Sequence, residues 1–265
     1  MRLKNKVIII TGGYTGIGQA IARACVKEGA QVLLNGLRNE KGQRLVEELG
    51  SNSAIAITMD ITTEEAPEIL INEAVKKFGK LDAVVNNAAM IVSSNINTTD
   101  LSFMRKMLAI NTLAPFAIIQ ASLPHLKKTK GCVLNIGSIN AWSGEPNLLA
   151  YSISKGALMT LSRNLGDSLF RDHGVRVNQI NPGWVLTENE KINQNQQGMN
   201  DDWFKELPDL FAPAQRIFEP QEIASGAVYL LSDECGPVSG QVLELEQFPM
   251  IGRNLPKNWK GFRKI

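Results

Sequence analysis

Short runs of consecutive apolar residues alternate along the chain with longer stretches in which apolar and polar positions share a helical period. The runs have the length of strands buried on both faces, and the longer stretches have the period of amphipathic helices. Strands are predicted at residues 6–11, 31–35, 54–58, 81–86, 132–136, 175–180 and 241–244. The first two helices are predicted at residues 16–28 and 40–49.

Strands that alternate with helices pair in parallel through right-handed crossovers, which places helices on both faces of one sheet. The pattern therefore predicts a doubly wound, Rossmann-like α/β fold. Because the alternation runs from residue 6 to about residue 245 without a linker or repeat, we expect one domain over residues 1–265. Residues 187–215 interrupt it with a polar stretch, and a loop of that length is typically a lid or a binding loop.

The charge of the chain narrows the class of partner. Its 265 residues include 28 basic and 26 acidic residues, for a formal net charge of +2. This balance offers no basic face for nucleic acid, and no apolar run approaches the ~20 residues of a membrane-spanning helix. With no secretory signal recognised, we expect a cytoplasmic protein that acts on a small molecule, without nucleic-acid or membrane partners.

Cysteine and histidine content limits the possible chemistry further. Cys25, Cys132 and Cys235 lie far apart among apolar or small residues, as free thiols do in a reducing compartment. The two histidines, His125 and His173, are expected at the surface or at helix ends. We therefore expect neither a Cys–His catalytic pair nor a metal site.

The turn after the first predicted strand carries the motif Thr-Gly-Gly-Tyr-Thr-Gly-Ile-Gly at residues 11–18. Glycines let the backbone approach a pyrophosphate, and the following helix offers unpaired N–H groups to the anion. The motif predicts a dinucleotide-binding turn, the alternative being a glycine-rich turn without a ligand. Its candidate cofactor-binding residues are Gly12, Tyr14, Thr15, Gly16, Ile17 and Gly18.

A second group of candidates comprises Ser138, Tyr151 and Lys155, with Asn111 upstream. Tyr151 and Lys155 are spaced i, i+4 and so share one face of a helix. Ser138 follows a predicted strand, at the carboxyl edge of the sheet where doubly wound folds bind ligands. Since a nearby ammonium favours a phenolate, Lys155 is expected to lower the pKa of Tyr151 and make it an acid–base catalyst.

These motifs, with Asn-Asn-Ala-Ala at residues 86–89 and Asn-Pro-Gly at residues 181–183, resemble the short-chain dehydrogenase/reductase family over residues 4–247. Ala89 departs from the family's glycine. The resemblance implies a seven-stranded parallel sheet, usually a tetramer, and NAD(P)-dependent hydride transfer between an alcohol and its carbonyl.

The resemblance also implies a role for each candidate. Tyr151 exchanges the substrate proton, Ser138 binds the substrate oxygen, Lys155 holds the nicotinamide ribose, and Asn111 holds a water that leads protons to the lysine. Further cofactor contacts are implied for Asp60, Ile61, Asn87, Ala88, Pro182, Gly183, Val185 and Thr187. The alternatives are that Asp60 only caps the next turn and that Pro182 and Gly183 form a plain turn.

The choice of nucleotide is predicted from Asn-Gly-Leu-Arg at residues 35–38, after the second predicted strand. An NAD enzyme places a carboxylate there for the adenosine ribose. Gly36 is expected to leave room for a 2′-phosphate instead, and Arg38 to pair with that phosphate. The sequence favours NADP over NAD, although Tyr14 and Thr15 supply no second positive charge. The alternative is that Arg38 is a solvated loop residue.

The candidate substrate residues combine flat aromatic rings with amides and a carboxylate, which suits a polyhydroxylated ring. They are Asn140, Trp142, Glu145, Trp184 and Trp203. We expect a sugar, polyol or sugar acid. The alternative for Trp203 and Phe204 is that they anchor residues 187–215 to the core.

Two other functions stay open. A 3-oxoacyl thioester on an acyl carrier protein is the alternative substrate, and it would require a basic patch beside the site entrance. A dinucleotide sensor without catalysis is the more distant alternative. Residues 248–265 carry five basic and no acidic residues. We predict that this tail packs on a neighbouring subunit and brings Glu246 or Arg253 near substrate, the alternative being a solvated terminus.

Overall fold

The computed structural model describes residues 1–249, in which apolar runs form strands that are buried on both faces. All four residues of the first strand are fully buried. The strands are β1 Val7–Ile10, β2 Gln31–Gly36, β3 Ala54–Thr58, β4 Ala83–Asn86, β5 Cys132–Ile136, β6 Arg176–Pro182 and β7 Val242–Leu245. They form one parallel sheet in the order β3-β2-β1-β4-β5-β6-β7, which confirms the predicted doubly wound fold.

Helices cover both faces of this sheet and create two hydrophobic cores. They are α1 Gly16–Lys27, α2 Asn39–Leu49, α3 Ala66–Phe78, α4 Leu101–Leu108, α5 Ala114–Thr129, α6 Asn140–Ser143, α7 Leu149–His173, α8 Glu188–Gln196 and α9 Pro220–Leu231. Helices α1 and α9 fill one core and helices α3 and α5 the other. Cys25, Cys132 and Cys235 are buried thiols, as expected.

The strand order reverses between β1 and β4, which lie side by side although two strands and three helices separate them in the chain. A crevice opens outside the carboxyl ends of the strands at such a switch point, because the two flanking connections leave to opposite faces. The glycine motif begins at the end of β1, so the topology brings it to this crevice.

Among residues 1–249, one helical run, Leu101–Thr129, is long and apolar enough to cross a membrane by length and composition alone. Buried core helices share this property, and α5 within the run packs against α3 and the sheet. The run is interrupted by a π-helical turn, Ala109–Leu113, which lies next to the site described below.

Residues 187–215 do not form the continuous loop that the polar stretch predicts. They contain α8 and a short 3₁₀ turn, Trp203–Lys205. Because α8 is polar and has no apolar periodicity, the hydrophobic pattern does not predict it. Thr187 and Glu190 nevertheless form a Thr-x-x-Glu signal for a helix start. The Thr187 hydroxyl accepts a hydrogen bond from the Glu190 N–H (3.0 Å) and caps the helix.

Candidate active site

The glycine turn is clamped to the end of β4. The Thr11 hydroxyl accepts hydrogen bonds from the main-chain N–H groups of Asn87 (3.0 Å) and Ala88 (3.1 Å). The Asn87 side chain in turn donates to the Gly12 carbonyl (3.0 Å). Gly12 has φ +60°, and a Cβ there would lie 2.8 Å from the Ala88 Cα, so this position requires glycine. A Cβ at Gly18 would overlap with the Gly12 carbonyl.

The N-terminus of α1 is built to receive an anion. Within residues 1–249, no side chain caps this helix at Thr15, and its first turn carries no acidic residue. Its leading N–H groups are therefore available to a phosphate. A Cβ built on Gly16 would lie 3.4 Å from the Thr187 methyl group, so Thr187 stands across the groove from the glycine turn. The residues present fit a dinucleotide.

Ser138, Tyr151 and Lys155 come together beneath this groove, as the sequence predicts. All three are buried, with 8%, 6% and 2% of their surface exposed. The Lys155 Nζ donates to the Ile136 carbonyl at the end of β5 (2.7 Å) and lies 5.7 Å from the Tyr151 ring centroid. The Ser138 hydroxyl lies close enough to the Tyr151 hydroxyl to act on its pKa.

The electrostatics differ from the sequence expectation. Burial raises the pKa of Tyr151 to about 12, the Ser138 hydroxyl opposes this shift, and the negative charge of Glu190 adds to it. Burial also lowers the pKa of Lys155 to about 7. The prediction that Lys155 lowers the tyrosine pKa is therefore wrong for this arrangement, because desolvation acts on both side chains and leaves the lysine only partly charged near neutral pH.

Asn111 lies in the π-helical turn, and its side chain is fully used in fixing the site. Its amide oxygen accepts from the Met90 N–H (2.8 Å), and its nitrogen donates to the Met90 carbonyl (3.0 Å) and the Ser154 hydroxyl (2.9 Å). The expected role of Asn111 in holding a water stays a prediction, for which the remaining acceptor is its main-chain carbonyl. The residue four positions later is Pro115, which has no N–H to pair with that carbonyl.

Buried amides hold Ser138 in place. The Asn181 Oδ1 accepts from the Ser138 N–H (3.1 Å) and from the Gln179 Nε2 (2.7 Å). Gln179 Oε1 accepts from the Ser162 hydroxyl of α7 (2.8 Å), so the helix that carries Tyr151 is tied to the strand that holds Ser138. A side chain at Gly137 would overlap with both amides, which explains the glycine there.

The aromatic residues predicted to line the substrate site have different surroundings. Trp203 is 4% exposed and stacks on Trp184 at 4.9 Å between ring centroids, while Phe204 packs on its edge. Trp203 therefore anchors residues 187–215, which corrects its assignment to the substrate surface. The Trp142 ring is partly exposed and lies 4.6 Å from the Arg163 guanidinium of α7, and its assignment to the substrate surface stays a prediction.

The remaining polar substrate candidates lie in the loop between β5 and α7. The Asn140 N–H donates to the Ser138 hydroxyl oxygen (3.2 Å), which places this residue beside the site. Glu145 turns into its own loop, where its carboxylate accepts from the Asn147 N–H (3.2 Å). Asn140 is thus next to the reacting groups, and Glu145 is used at least partly in shaping the loop.

One acidic residue near the site has no counterpart in the sequence predictions. The Glu190 Oε1 accepts hydrogen bonds from the Trp184 indole (2.8 Å) and the Gln194 amide (2.8 Å), and its charge acts on Tyr151. The Thr-x-x-Glu signal locates Glu190 at a helix start but says nothing about Trp184. Only the fold brings the carboxylate towards the tyrosine.

The adenosine end also requires a correction. The Tyr14 ring is buried against Gly36 and Gly42, and a Cβ on Gly36 would overlap with it. Gly36 therefore accommodates Tyr14 and does not leave the expected space for a phosphate. Arg38 is exposed at the start of α2, and Lys41, one turn later, pairs with Glu188 (2.9 Å).

The other implied cofactor residues lie along the same edge. One Asp60 carboxylate oxygen accepts from the Thr62 N–H (2.9 Å) and hydroxyl (2.8 Å), as in the capping alternative. Val185 is buried in the main core, and the Gly183 N–H donates to the Leu245 carbonyl (2.8 Å). Ile61 is buried, Ile17 packs against the main core, and Pro182 ends β6.

Only Phe248 and Pro249 of the basic tail lie within the described residues, so the predicted docking of the tail and the position of Arg253 lie outside them. The Glu246 carboxylate lies against Gly183, at the turn after β6. Glu246 is therefore close to the residues implied for the nicotinamide end. Glu246 directly follows β7, so its own chain determines this position.

A dinucleotide groove at a switch point, with a buried Ser–Tyr–Lys cluster below it, defines an oxidoreductase of the doubly wound α/β class. Residues 12–246 match the family model described as enoyl-(acyl carrier protein) reductase. The chain is 31% identical, over 97% of its length, to a meso-2,3-butanediol dehydrogenase of Serratia marcescens, 99% of which is covered. It belongs to the short-chain dehydrogenase/reductase family and is an NAD(P)-dependent enzyme acting on CH–OH groups of a small molecule.

Two further relatives have similar coverage. An L-fucose dehydrogenase of Mus musculus is 35% identical over 88% of this chain and 84% of its own length. An NADP-dependent (R)-specific alcohol dehydrogenase of Lentilactobacillus kefiri is 34% identical over 88% of this chain and 92% of its own length.

The burial of Lys155 predicts a pH-dependent stability. Its folded-state pKa of about 7 lies below the value of about 10.4 for lysine in an unfolded chain, so the unfolded chain binds more protons between these values. This group therefore makes folding more favourable as the pH rises from about 7 to about 10. Lys155→Met is expected to raise Tm more at about pH 6 than at about pH 9.

Thermal unfolding of both proteins at the two pH values measures this difference. The exposed Lys127→Met on α5 is the control and should show no such dependence. An equal effect of Lys155→Met on Tm at both pH values would mean that burial does not lower the pKa of Lys155.

Proposed function

We propose that this enzyme interconverts a secondary alcohol and its carbonyl on a hydroxyl-rich small molecule, a sugar, polyol or sugar acid, with NADP as the preferred nucleotide. The observation that carries the proposal is the buried cluster of Ser138, Tyr151 and Lys155 directly below the dinucleotide groove. When bound, the nicotinamide supplies or accepts the hydride. The protein therefore has to position the substrate and move one proton.

Tyr151 is the proton donor in carbonyl reduction and the acceptor in alcohol oxidation. With a pKa of about 12, its hydroxyl stays protonated near neutral pH and donates to the carbonyl oxygen. The Ser138 hydroxyl lies close to the Tyr151 hydroxyl, so a substrate oxygen placed between them receives hydrogen bonds from both. This arrangement fixes the reacting carbon relative to the groove.

Lys155 and Asn111 complete the path to solvent. The Lys155 ammonium, with a pKa lowered to about 7, exchanges a proton readily near neutral pH. The side chain of Asn111 is held by Met90 and Ser154, and its main-chain carbonyl is the acceptor proposed for a water in the same region. The proton released by Tyr151 thus has a route through Lys155 and this water.

The substrate class is supported by two observations. The relatives named above are dehydrogenases of butanediol, fucose and an alcohol, all of them hydroxyl-bearing small molecules. Residues 187–215, beside the site, hold six acidic and two basic residues, a local charge of −4. This charge offers no basic patch to an acyl carrier protein, so it disfavours the 3-oxoacyl thioester alternative, although the family model carries an acyl carrier protein reductase description.

Turnover on a panel tests the proposed reaction. Nicotinamide absorbance should report oxidation of polyols, aldoses or sugar acids, measured with NADP and NAD in parallel, and little reduction of a 3-oxoacyl thioester. Tyr151→Phe is expected to lower kcat by about 10²-fold or more, because it removes the proton donor and leaves the packing intact. Turnover confined to the thioester would overturn the substrate class, and full activity of Tyr151→Phe would overturn the mechanism.

The preference for NADP is supported by the charges at the adenosine end. β2 ends at Gly36 without a carboxylate, and the cation Arg38 is exposed at the start of α2. Lys41 lies on the same helix but pairs with Glu188 (2.9 Å), so the preference rests on Arg38. The Lentilactobacillus kefiri relative is named as NADP-dependent, which agrees with this assignment.

Arg38→Ala is expected to weaken NADP binding by roughly 10- to 100-fold and NAD binding by less than about twofold, because only NADP carries the 2′-phosphate. Isothermal titration of each nucleotide measures the two dissociation constants. Arg44→Ala, an exposed arginine on the same helix, is the matched control. Equal losses for both nucleotides would make Arg38 a general backbone contact and remove this support for NADP.

The association of subunits is part of the proposal. Four large apolar side chains on neighbouring helices remain exposed: Leu101 (72%), Leu113 (59%), Phe116 (42%) and Ile153 (45%). A patch of this kind usually marks a protein interface. We propose that copies of the chain associate through it as a homotetramer.

Light scattering on the full chain is expected to give the mass of a tetramer, and Phe116→Glu is expected to give a smaller species, because it places a charge in the interface. Phe211→Glu, at an exposed apolar residue in the segment 187–215, should leave the mass unchanged. A monomeric wild-type protein would contradict the proposal.

A further inference from the structure

Glu190 presents a carboxylate whose charge acts on Tyr151 and which the proposed mechanism leaves unused. Both donors that contact it, Trp184 Nε1 and Gln194 Nε2, bind the same oxygen, Oε1, at 2.8 Å. Within residues 1–249, no hydrogen bond reaches its second oxygen, Oε2, although the side chain is only partly exposed. A carboxylate oxygen in this position has lone pairs for another donor.

The orientation of Glu190 departs from what its sequence context predicts. In a Thr-x-x-Glu capping box the glutamate bonds back to the N–H of the capping residue. Here the Thr187 N–H donates instead to the Val185 carbonyl (2.9 Å), and the glutamate turns to Trp184. The indole and the Gln194 amide thus fix the carboxylate away from the helix end.

This orientation holds the Glu190 carboxylate at Trp184, near the carboxyl edge of the sheet. Trp184 directly follows the Pro-Gly turn at the end of β6, on the edge of the sheet where Ser138 lies. The charged and titratable groups that face the Tyr151 hydroxyl are Lys155 from its own helix and Glu190 from α8, with the hydroxyl of Ser138. The two donors that hold the carboxylate, Trp184 and Gln194, both bind Oε1, so neither occupies Oε2.

We propose that the Glu190 Oε2 accepts a hydrogen bond from a second hydroxyl of the substrate, and that its charge excludes substrates with a carboxylate one or two carbons from the reacting carbon. The inference rests on the proposed function and narrows its substrate class to neutral polyols, diols and sugars, without sugar acids. A hydrogen bond to an ionised acceptor is stronger than one between neutral groups. The same charge repels an anion, so attraction and exclusion come from one residue.

Three alcohols with four carbons separate these effects. 2,3-Butanediol has the second hydroxyl, 2-butanol lacks it, and 3-hydroxybutyrate carries a carboxylate. Glu190→Gln keeps the shape and the oxygen that accepts from Trp184, but removes the charge. We expect kcat/KM to fall roughly tenfold for the diol, to change by less than about twofold for 2-butanol, and to rise severalfold for 3-hydroxybutyrate.

The pH profile supplies a readout that a purely structural role would not move. Because the charge of Glu190 raises the pKa of Tyr151, its removal is expected to shift the profile of 2-butanol oxidation to lower pH by about half a unit. Glu206→Gln, an exposed carboxylate in the same segment, is the matched control and should change neither specificity nor profile. Glu190→Asp, which keeps the charge, should retain the exclusion of 3-hydroxybutyrate.

The outcomes are distinguishable. Parallel losses of activity on all three alcohols in Glu190→Gln, with an unshifted pH profile, would make Glu190 a structural residue and overturn the inference alone. Absence of turnover by the wild-type enzyme on any secondary alcohol with either nucleotide would overturn the proposed function, and the inference with it. Opposite changes for the diol and the hydroxy acid would support the inference.

Discussion

The site depends on a chain of hydrogen bonds between polar side chains that are buried inside the fold. It links Asn86, Asn135, Ser162, Gln179 and Asn181 through four contacts of 2.7 to 2.9 Å and ends on the Ser138 N–H. An amide left unpaired in such surroundings costs about 1–3 kcal/mol, so each member depends on the next. The chain crosses three neighbouring strands and α7, and it therefore fixes the serine relative to the helix of Tyr151 and Lys155.

The burial of Tyr151 and Lys155 also determines the acid–base chemistry of the site. Tyr151 and Lys155 lie where water is excluded, and each is shifted towards its neutral form, the tyrosine to a pKa of about 12 and the lysine to about 7. A neutral phenol is a proton donor, whereas a lysine near its pKa both gives and accepts protons. The two residues thus differ in function because desolvation acts in opposite directions on an acid and on a base. Reasoning from the sequence alone treats Lys155 as fully charged, so it does not predict the effect of desolvation on either pKa.

The strands, the sheet order and the glycine turn follow from local signals, namely apolar runs, helical periodicity and a motif at a strand end. Ser138, Tyr151 and Lys155 could also be predicted, because strand ends and i, i+4 spacing determine where they lie. What could not be predicted depends on packing between distant segments. Tyr14 fills the space beside Gly36, and Trp184 covers Trp203. The local sequence around these residues predicts neither contact. A polar helix such as α8 is hidden for a related reason, since its stability comes from its cap and its contacts and not from an apolar face.

Helix α8 connects the two ends of the groove. At its first residue, Glu188 pairs with Lys41 at the start of α2, beside the adenosine end, and at its third residue Glu190 reaches Trp184, beside Tyr151. Thr187, which caps the helix, lies across from Gly16 in the glycine turn. Because one short helix contributes all three contacts, a displacement of its N-terminus changes the environment of the nucleotide and of the substrate together. The segment packs around Trp203 in its own small core, which also includes Trp184 and Ile217. The same helix end therefore borders both the glycine turn and the residues around Trp184.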